Sequence, residues 1–130
     1  MSKSPTPGIP RPERLRFPRA ARIRLGREFA LVRARGRTVQ GRFLRLSVVM
    51  DRAVEATRFG LVTSKRVGGA VIRNRVRRRL REICRLHRAL LAPGWLVVVV
   101  AKPAAAGATF SELRDEWLIL ARRLPILSGS

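Results

Sequence analysis

The densest group of chemically active side chains in this sequence is an arginine run. Six of the nine residues from Arg73 to Arg81 are arginines, and Arg85 and Arg88 continue the series. On a helix a basic stripe forms, displaced from the apolar stripe, and it consists of Arg73, Arg77, Arg81 and Arg88 with Arg78 and Arg85 to one side. Glu82 is the only acid among them, so arginines four residues apart repel one another unless a polyanion neutralises them. Because guanidinium groups bind phosphate bidentately, the run predicts a helix that binds RNA or DNA.

The segment before this run has the features of a phosphate-binding loop. Lys65 and Arg66 supply positive charge, and Gly68 and Gly69 leave backbone amides open beside the predicted helix N-terminus. The Walker pattern G-x-x-x-x-G-K-[ST] is missing, which argues against an NTPase. Asn74 has two interpretations that spacing does not separate. It reads a base edge or a ribose, or it helps to cap the first helical turn.

A second candidate surface lies on a predicted strand with alternating side chains. Its core face consists of the even positions Leu44, Leu46, Val48 and Met50. Phe43 and Arg45 lie on the opposite face, where a ring and a guanidinium can stack on or clamp an extended RNA strand. Phe29, in a short preceding helix, can join them. The alternative is that Phe29 and Phe43 are core residues.

The sequence offers little for catalysis. The only histidine, His87, lies on the apolar stripe of the long helix, and the only cysteine, Cys84, borders it, so both are expected to be packed. Three acids share one predicted exposed helix without partners for a metal, namely Glu112, Asp115 and Glu116. We therefore expect no catalytic residue and no metal site in the protein, and no cleavage by the protein alone.

Composition favours a nucleic-acid partner. The chain has 29 Lys+Arg against 8 Asp+Glu, a net charge of +21, and only three of its basic residues are lysines. The arginine preference fits structured RNA or DNA contacts, although a G+C-rich genome explains it equally well. One cysteine excludes an internal disulfide and fits a cytoplasmic location. The longest apolar run, Trp95 to Ala101, is too short for a membrane span.

The chain of 130 residues fits one domain. Residues 1–22 hold five of the eight prolines and are predicted to be a disordered basic arm, in which the prolines argue against a helical targeting peptide. The domain is predicted over residues 23–126, followed by a tail at 127–130. Its predicted class is α+β, a single-domain α/β sandwich with the order α-β-β-α-β-α.

Four features define the predicted elements. Residues 43–50 and 58–64 are read as two strands of an antiparallel hairpin. Residues 71–91 form the long helix, whose apolar side faces the sheet. The unbroken apolar run at 95–101 is expected to be the central strand. Thr109 and Glu112 form a capping box that starts the last helix.

The stretch from Phe59 to Glu82, FGLVTSKRVGGAVIRNRVRRRLRE, resembles the signature of the bacterial ribonuclease P protein family, with its R-N-R motif at Arg73 to Arg75. The resemblance extends from about Ile23, through the Arg-Glu-Phe of the first helix and the Ala-Lys-Pro after the apolar strand, to about Leu124. It implies a left-handed β-α-β crossover, an exception to the usual right-handed rule.

The resemblance also implies a function. The chain would be the protein subunit of a ribonucleoprotein endonuclease that removes the 5′ leader from precursor tRNA and leaves a 5′-phosphate. The catalytic RNA would perform the chemistry with Mg²⁺, which it would mainly hold itself, and the protein would bind no cofactor tightly. Its partners would be the ribonuclease P RNA and precursor tRNA, with no membrane and no obligate protein partner.

Two sets of site residues follow from the resemblance. Docking on the catalytic RNA is implied for Lys65, Arg66, Arg73, Asn74, Arg75, Arg77, Arg78 and Arg81. A cleft for the single-stranded leader is implied for Phe29, Arg33, Phe43, Arg45 and Ser47. Arg33 and Ser47 stand where relatives often have aromatic residues, and the chain has no tyrosine, so charge is expected to contribute more than stacking here.

Two other functions share some of these features. A ribosomal or nucleoid structural protein would have the same size and charge but would need no tRNA substrate, so it would not assist leader cleavage at low magnesium. A self-sufficient RNA-cleaving enzyme would cut precursor tRNA without an RNA subunit, and the sequence lacks the acid, base and metal residues for it.

Overall fold

The computed structural model describes residues 22–23, 26–51 and 53–127. Its helices and strands, in chain order, are α1 (Gly26–Arg35), β1 (Arg37–Gln40), β2 (Leu44–Met50), β3 (Arg58–Thr63), α2 (Ala70–His87), β4 (Trp95–Ala101) and α3 (Phe110–Arg122). Short 3-10 turns occupy Lys65–Val67, Arg88–Leu90 and Pro103–Gly107. The predicted order is confirmed, with β1 as an additional short strand.

The four strands form one sheet in the order β1-β2-β4-β3. The apolar strand β4 is central, as predicted, because its nearly continuous buried side chains need cover on both faces. It pairs antiparallel with β2 and parallel with β3. The predicted hairpin between residues 43–50 and 58–64 is therefore wrong, since β4 lies between these two strands. The left-handed crossover from β3 through α2 to β4 stays a prediction.

One face of the sheet is covered by α2 and α3. The even positions of β2 that were predicted for the core, Leu44, Leu46 and Val48, are buried there. They belong to the same core as the apolar sides of both helices, represented by Leu80 and Trp117. Met50 is different: it ends β2 with 54% of its surface exposed, beyond the reach of the core.

The other face is covered only in part, by the short helix α1. Val32 packs there against Leu96 and Val98 of the central strand. Glu28, in the first turn of α1, is 6% exposed and accepts a hydrogen bond from Arg58 of β3 at 3.0 Å. This ion pair fixes α1 over one end of the sheet and leaves the other end of this face open.

Single residues at both predicted margins of the domain pair with its folded part. Arg22, assigned to the arm, forms a parallel β-bridge with Phe59. Leu127, assigned to the tail, forms an antiparallel bridge with Leu91. The rest of the predicted arm, residues 1–21, and residues 128–130 lie outside the described residues. No helix in the described ranges combines the length and apolar character needed to cross a bilayer.

Candidate nucleic-acid interface

The arginines of α2 point to two sides of the helix. Arg75 and Arg79 donate hydrogen bonds to the carbonyl oxygens of Ala106 and Ala108, at 3.1 and 2.7 Å. These bonds tie α2 to the loop between β4 and α3. Arg75, the second arginine of the R-N-R motif, therefore also has a structural role that the sequence did not reveal.

Arg77 is held in place from two directions. Its guanidinium donates to Oγ1 of Thr63, at the end of β3, at 2.6 Å and to Oδ1 of Asn74 at 3.3 Å. The N-cap of α2 is Gly69, and no side chain caps it. The capping interpretation of Asn74 is therefore wrong. Asn74 instead orients Arg77, and its exposed amide group lies on the basic side of the helix.

The most exposed part of the predicted RNA surface lies around the start of α2. Lys65, Arg66, Asn74 and Arg78 are exposed, whereas Arg73 is partly buried. Ser64 shapes the preceding 3-10 turn, since its hydroxyl accepts a hydrogen bond from the Arg66 amide at 3.3 Å. The uncapped amides of α2 and its lack of an acid in the first turn leave this end of the helix positive.

A small arginine pocket opens between α2, β3 and the start of the described chain. It has a volume of about 170 Å³, and its lining includes Arg22, Arg77, Arg81, Phe29 and Phe59. Partial burial and the nearby positive charges of Arg22 and Arg77 lower the pKa of the Arg81 guanidinium. The shift reflects first the partial burial of the Arg81 guanidinium and then its repulsion by two neighbouring cations, and an anion bound between the three arginines would offset that repulsion.

A groove runs beside this pocket on the open part of the sheet face. It has a volume of about 250 Å³ and is lined by Phe29, Val32, Arg33, Arg45, Ser47, Val62, Val98 and Val100. Four of the five predicted cleft residues are therefore brought together. Valines form the floor, arginines supply charge, and Phe29 lines both the groove and the arginine pocket.

Phe29 reaches both cavities because Gly60 makes room for it. A Cβ atom built on Gly60 would lie 2.7 Å from the ring of Phe29, which is closer than such atoms approach in proteins. A glycine in the middle of a strand is a known sign of close packing. Gly60 is therefore the feature of the sequence that could have predicted the position of the Phe29 ring on the sheet.

Phe43 is the predicted cleft residue that does not line the groove. It precedes β2 and is buried with the core under α2 and α3, so the core interpretation is correct for it. The alternation of β2 does not extend to the turn that contains Phe43. There the amides of Arg42, Phe43 and Leu44 all donate to the carboxylate of Glu116 on α3.

The residues that could perform independent chemistry are packed, as expected. Cys84 is buried, and burial raises the pKa of its thiol. The Nδ1 of His87 lies 2.7 Å from the carbonyl oxygen of Ile83, and its ring packs on Trp117 with the ring centres 5.4 Å apart. Within the described ranges, no three His, Cys, Asp or Glu side chains form a group that could hold a metal ion.

Comparisons with known proteins identify the family to which this chain is similar. A family model described as ribonuclease P matches residues 17–125. The ribonuclease P protein component of Roseiflexus castenholzii is 39% identical over 113 residues, which cover 86% of this chain and 92% of that protein. The component from Beutenbergia cavernae is 48% identical over 101 residues, covering 77% and 84%.

Solved structures agree on the fold. The ribonuclease P protein from Staphylococcus aureus superposes with a TM-score of 0.77 at 21% identity, covering 83% of this chain and 98% of that one. The protein from Thermotoga maritima gives 0.71 at 26% identity, covering 79% and 96%. The chain thus belongs to the bacterial ribonuclease P protein family, the accessory protein component of the ribonucleoprotein endonuclease that processes the 5′ leaders of tRNA.

Proposed function

We propose that two basic surfaces of this chain bind two different RNAs. The exposed side of α2 and the loop before it dock on the ribonuclease P RNA. The groove beside α1 holds the single-stranded 5′ leader of precursor tRNA. The observation that carries this proposal is the position of Phe29, which lines an arginine pocket and a valine-floored groove at the same time. Adjacent sites for phosphates and for bases suit an unpaired RNA strand.

The residues divide between the surfaces by position, with Arg77 and Arg81 at the boundary, because they also line the arginine pocket beside the groove. Docking on the RNA subunit is assigned to Lys65, Arg66, Arg73, Asn74, Arg75, Arg77, Arg78 and Arg81, with Arg75 also serving the fold. Leader binding is assigned to Phe29, Arg33, Arg45 and Ser47. Phe43 is not assigned to leader binding, because it is buried on the other side of the sheet.

Leader binding would assist cleavage through differential affinity. Contacts in the groove stabilise the complex with precursor tRNA, whereas mature tRNA has lost the segment that makes them. The product therefore leaves more readily than the substrate, and the substrate competes better for the enzyme. The positive field of the protein also lowers the repulsion between two polyanionic RNAs.

The proposed chemistry belongs to the RNA subunit. Mg²⁺ bound there would supply the activated water and stabilise the leaving oxygen in phosphodiester hydrolysis. The described residues do not fit a site for this metal, since they provide no group of three or more suitable ligands. We place the assembled particle in the cytoplasm, in keeping with a single, buried cysteine.

A reconstituted enzyme at low magnesium tests this assignment. The chain should restore cleavage of precursor tRNA by the bare RNA subunit. Arg45→Ala should then lower the preference for precursor over mature tRNA by about fivefold, because an exposed charged contact contributes roughly 1 kcal/mol. Arg78 is exposed on α2. Its substitution, Arg78→Ala, should weaken binding to the RNA subunit and leave the preference for precursor tRNA unchanged.

The control is Arg122→Ala, which removes the same charge from the exposed side of α3. It should change neither property beyond the small effect of one distant charge. If Arg45→Ala behaved like Arg122→Ala in binding measurements with precursor and mature tRNA, the leader assignment would be wrong.

A further inference from the structure

The sheet face that carries the groove continues onto β1, the strand at its edge. The register of the strands places neighbouring side chains in rows across the sheet. One row consists of Gln40, Arg45, Val100 and Val62, and the next consists of Thr38, Ser47, Val98 and Gly60. Each row is apolar on β3 and β4 and polar on β2 and β1. This sheet face therefore has an apolar end, which the groove covers, and a polar end at β1, beyond the Arg45 and Ser47 side of the groove.

The polar end contains a pair of hydroxyl groups. Oγ1 of Thr38 lies 2.8 Å from Oγ of Ser47, which confirms that both side chains are on this face. A hydroxyl has one proton and two acceptor lone pairs, so the bond between them uses one of their two protons. The other proton and the remaining lone pairs stay available for a ligand. Thr38 is exposed, so a ligand can reach them.

Gln40 is oriented by a lysine. The ammonium of Lys102 donates to the carbonyl oxygen of Gly41 at 2.8 Å and to Oε1 of Gln40 at 3.4 Å. An ammonium group only donates, so the amide atom that faces it is the oxygen. The amide nitrogen of Gln40, with two N–H donors, is thereby turned away from Lys102. Gln40 is exposed at the edge of the sheet.

We propose that Thr38, Ser47 and Gln40 read the bases of the RNA strand held in the groove, so that β1 determines sequence preference in the leader. This inference rests on the proposed binding of the leader. Phosphate contacts by arginines carry no sequence information, and a valine floor accepts the face of any base. Neutral hydroxyl and carboxamide groups, in contrast, match the donors and acceptors of base edges. These three side chains lie at the open end of the groove, where they are positioned to discriminate among the bases of the leader.

The distance across the sheet agrees with this reading. Four adjacent strands span three spacings of about 4.8 Å, or roughly 14 Å from β3 to β1. A strand that starts at Phe29 and crosses the sheet therefore reaches β1 after passing over the valines. The bases over β1 are those farther from Phe29 along the bound strand, and sequence preference should be confined to them.

The test uses the reconstituted enzyme and a pool of precursor tRNAs with randomised leaders. Competitive cleavage gives the relative kcat/KM of every leader sequence. The native chain should prefer certain bases at one or two adjacent leader positions by about fivefold or more. The double variant Thr38→Val, Gln40→Met keeps the size of both side chains and should flatten the preference at those positions only. Ser111→Ala, which removes an exposed hydroxyl from α3, is the control.

The outcomes separate this inference from the leader assignment itself. An unchanged preference profile in the double variant, or a native profile with no preference at all, would overturn the role of β1. In either case a loss of leader affinity in Arg45→Ala would still support the groove. If Arg45→Ala also left leader affinity unchanged, both proposals would fail together.

Discussion

A single carboxylate on α3 organises the turn between β1 and β2. Glu116 accepts hydrogen bonds from the amides of Arg42, Phe43 and Leu44 at 2.8, 2.8 and 2.6 Å. Gly41 permits this approach, because a Cβ atom there would lie 2.5 Å from the carboxylate. Three charge-assisted bonds to neighbouring amides hold the turn against α3 and keep β2 aligned with the helix.

Glu116→Gln should therefore destabilise the fold. The glutamine amide has one oxygen to accept with, and its NH₂ group faces amides that also donate. We expect a loss of about 1–3 kcal/mol in the free energy of unfolding, measured by urea denaturation. Asp115→Asn, the neighbouring exposed position, should cost less than about 0.5 kcal/mol. Equal losses in the two variants would show that the amide contacts contribute little.

The sequence did not reveal this role of Glu116, and it left open whether Phe43 lies in the cleft or in the core. The two cases have different causes. The period-two pattern predicts a strand that includes Phe43, although the regular strand begins at Leu44. Glu116 lies 72 residues or more from the amides it binds, and pairing over such a separation leaves no local pattern to read.

The two adjacent glycines that precede α2 have different constraints. Gly68 has a φ of 149°, and a Cβ atom there would lie 3.0 Å from Ile72. Gly69 has a φ of −69° and open space around its Cα atom. The first glycine is thus required by the backbone, and the second is not.

Gly68→Ala should destabilise the protein by about 1–3 kcal/mol, because alanine is strained at this φ. In Gly69→Ala the reduced freedom of the unfolded chain offsets the poorer N-cap, so we expect a change within about 0.5 kcal/mol. Thermal denaturation of the two variants measures the difference. A Gly69 variant as unstable as the Gly68 variant would contradict this explanation.

The elements themselves were largely predictable from local patterns. The apolar run of β4, the long amphipathic helix α2 and the Thr109–Glu112 capping box all appear as expected. The pairing of the strands was not predictable from local patterns. The order of the strands in the chain suggests a hairpin of β2 and β3, whereas β4 lies between them in the sheet. Strand β1 is not predicted by the sequence, because its four residues, RTVQ, are mostly exposed and show no apolar alternation.

Charge is strongly unbalanced over the protein. The chain has a net charge of +21. Within the described ranges, three ion pairs are formed, and two of them, Arg85 with Glu82 and Arg114 with Asp115, join near neighbours in sequence. The folded state therefore holds many like charges together with little compensation, and this repulsion opposes folding.

Added salt should consequently stabilise the isolated protein. Raising NaCl from about 0.1 M to about 1 M shortens the screening length from about 10 Å to about 3 Å, which weakens repulsion across the surface. We expect the midpoint of urea unfolding to rise with NaCl, while affinity for RNA falls over the same range. A midpoint that fell with salt would mean that attractive pairs dominate the stability.

The buried cysteine makes this protein convenient to label. Cys84 is enclosed by the core, and burial raises the pKa of its thiol. Alkylating dyes should therefore not react with it while the chain is folded. A thiol introduced by Arg66→Cys or Thr38→Cys would then be the one that reacts, without removal of the native cysteine. Fluorophores or RNA-cleaving reagents attached at these two places could map the paths of both RNAs across the assembled particle.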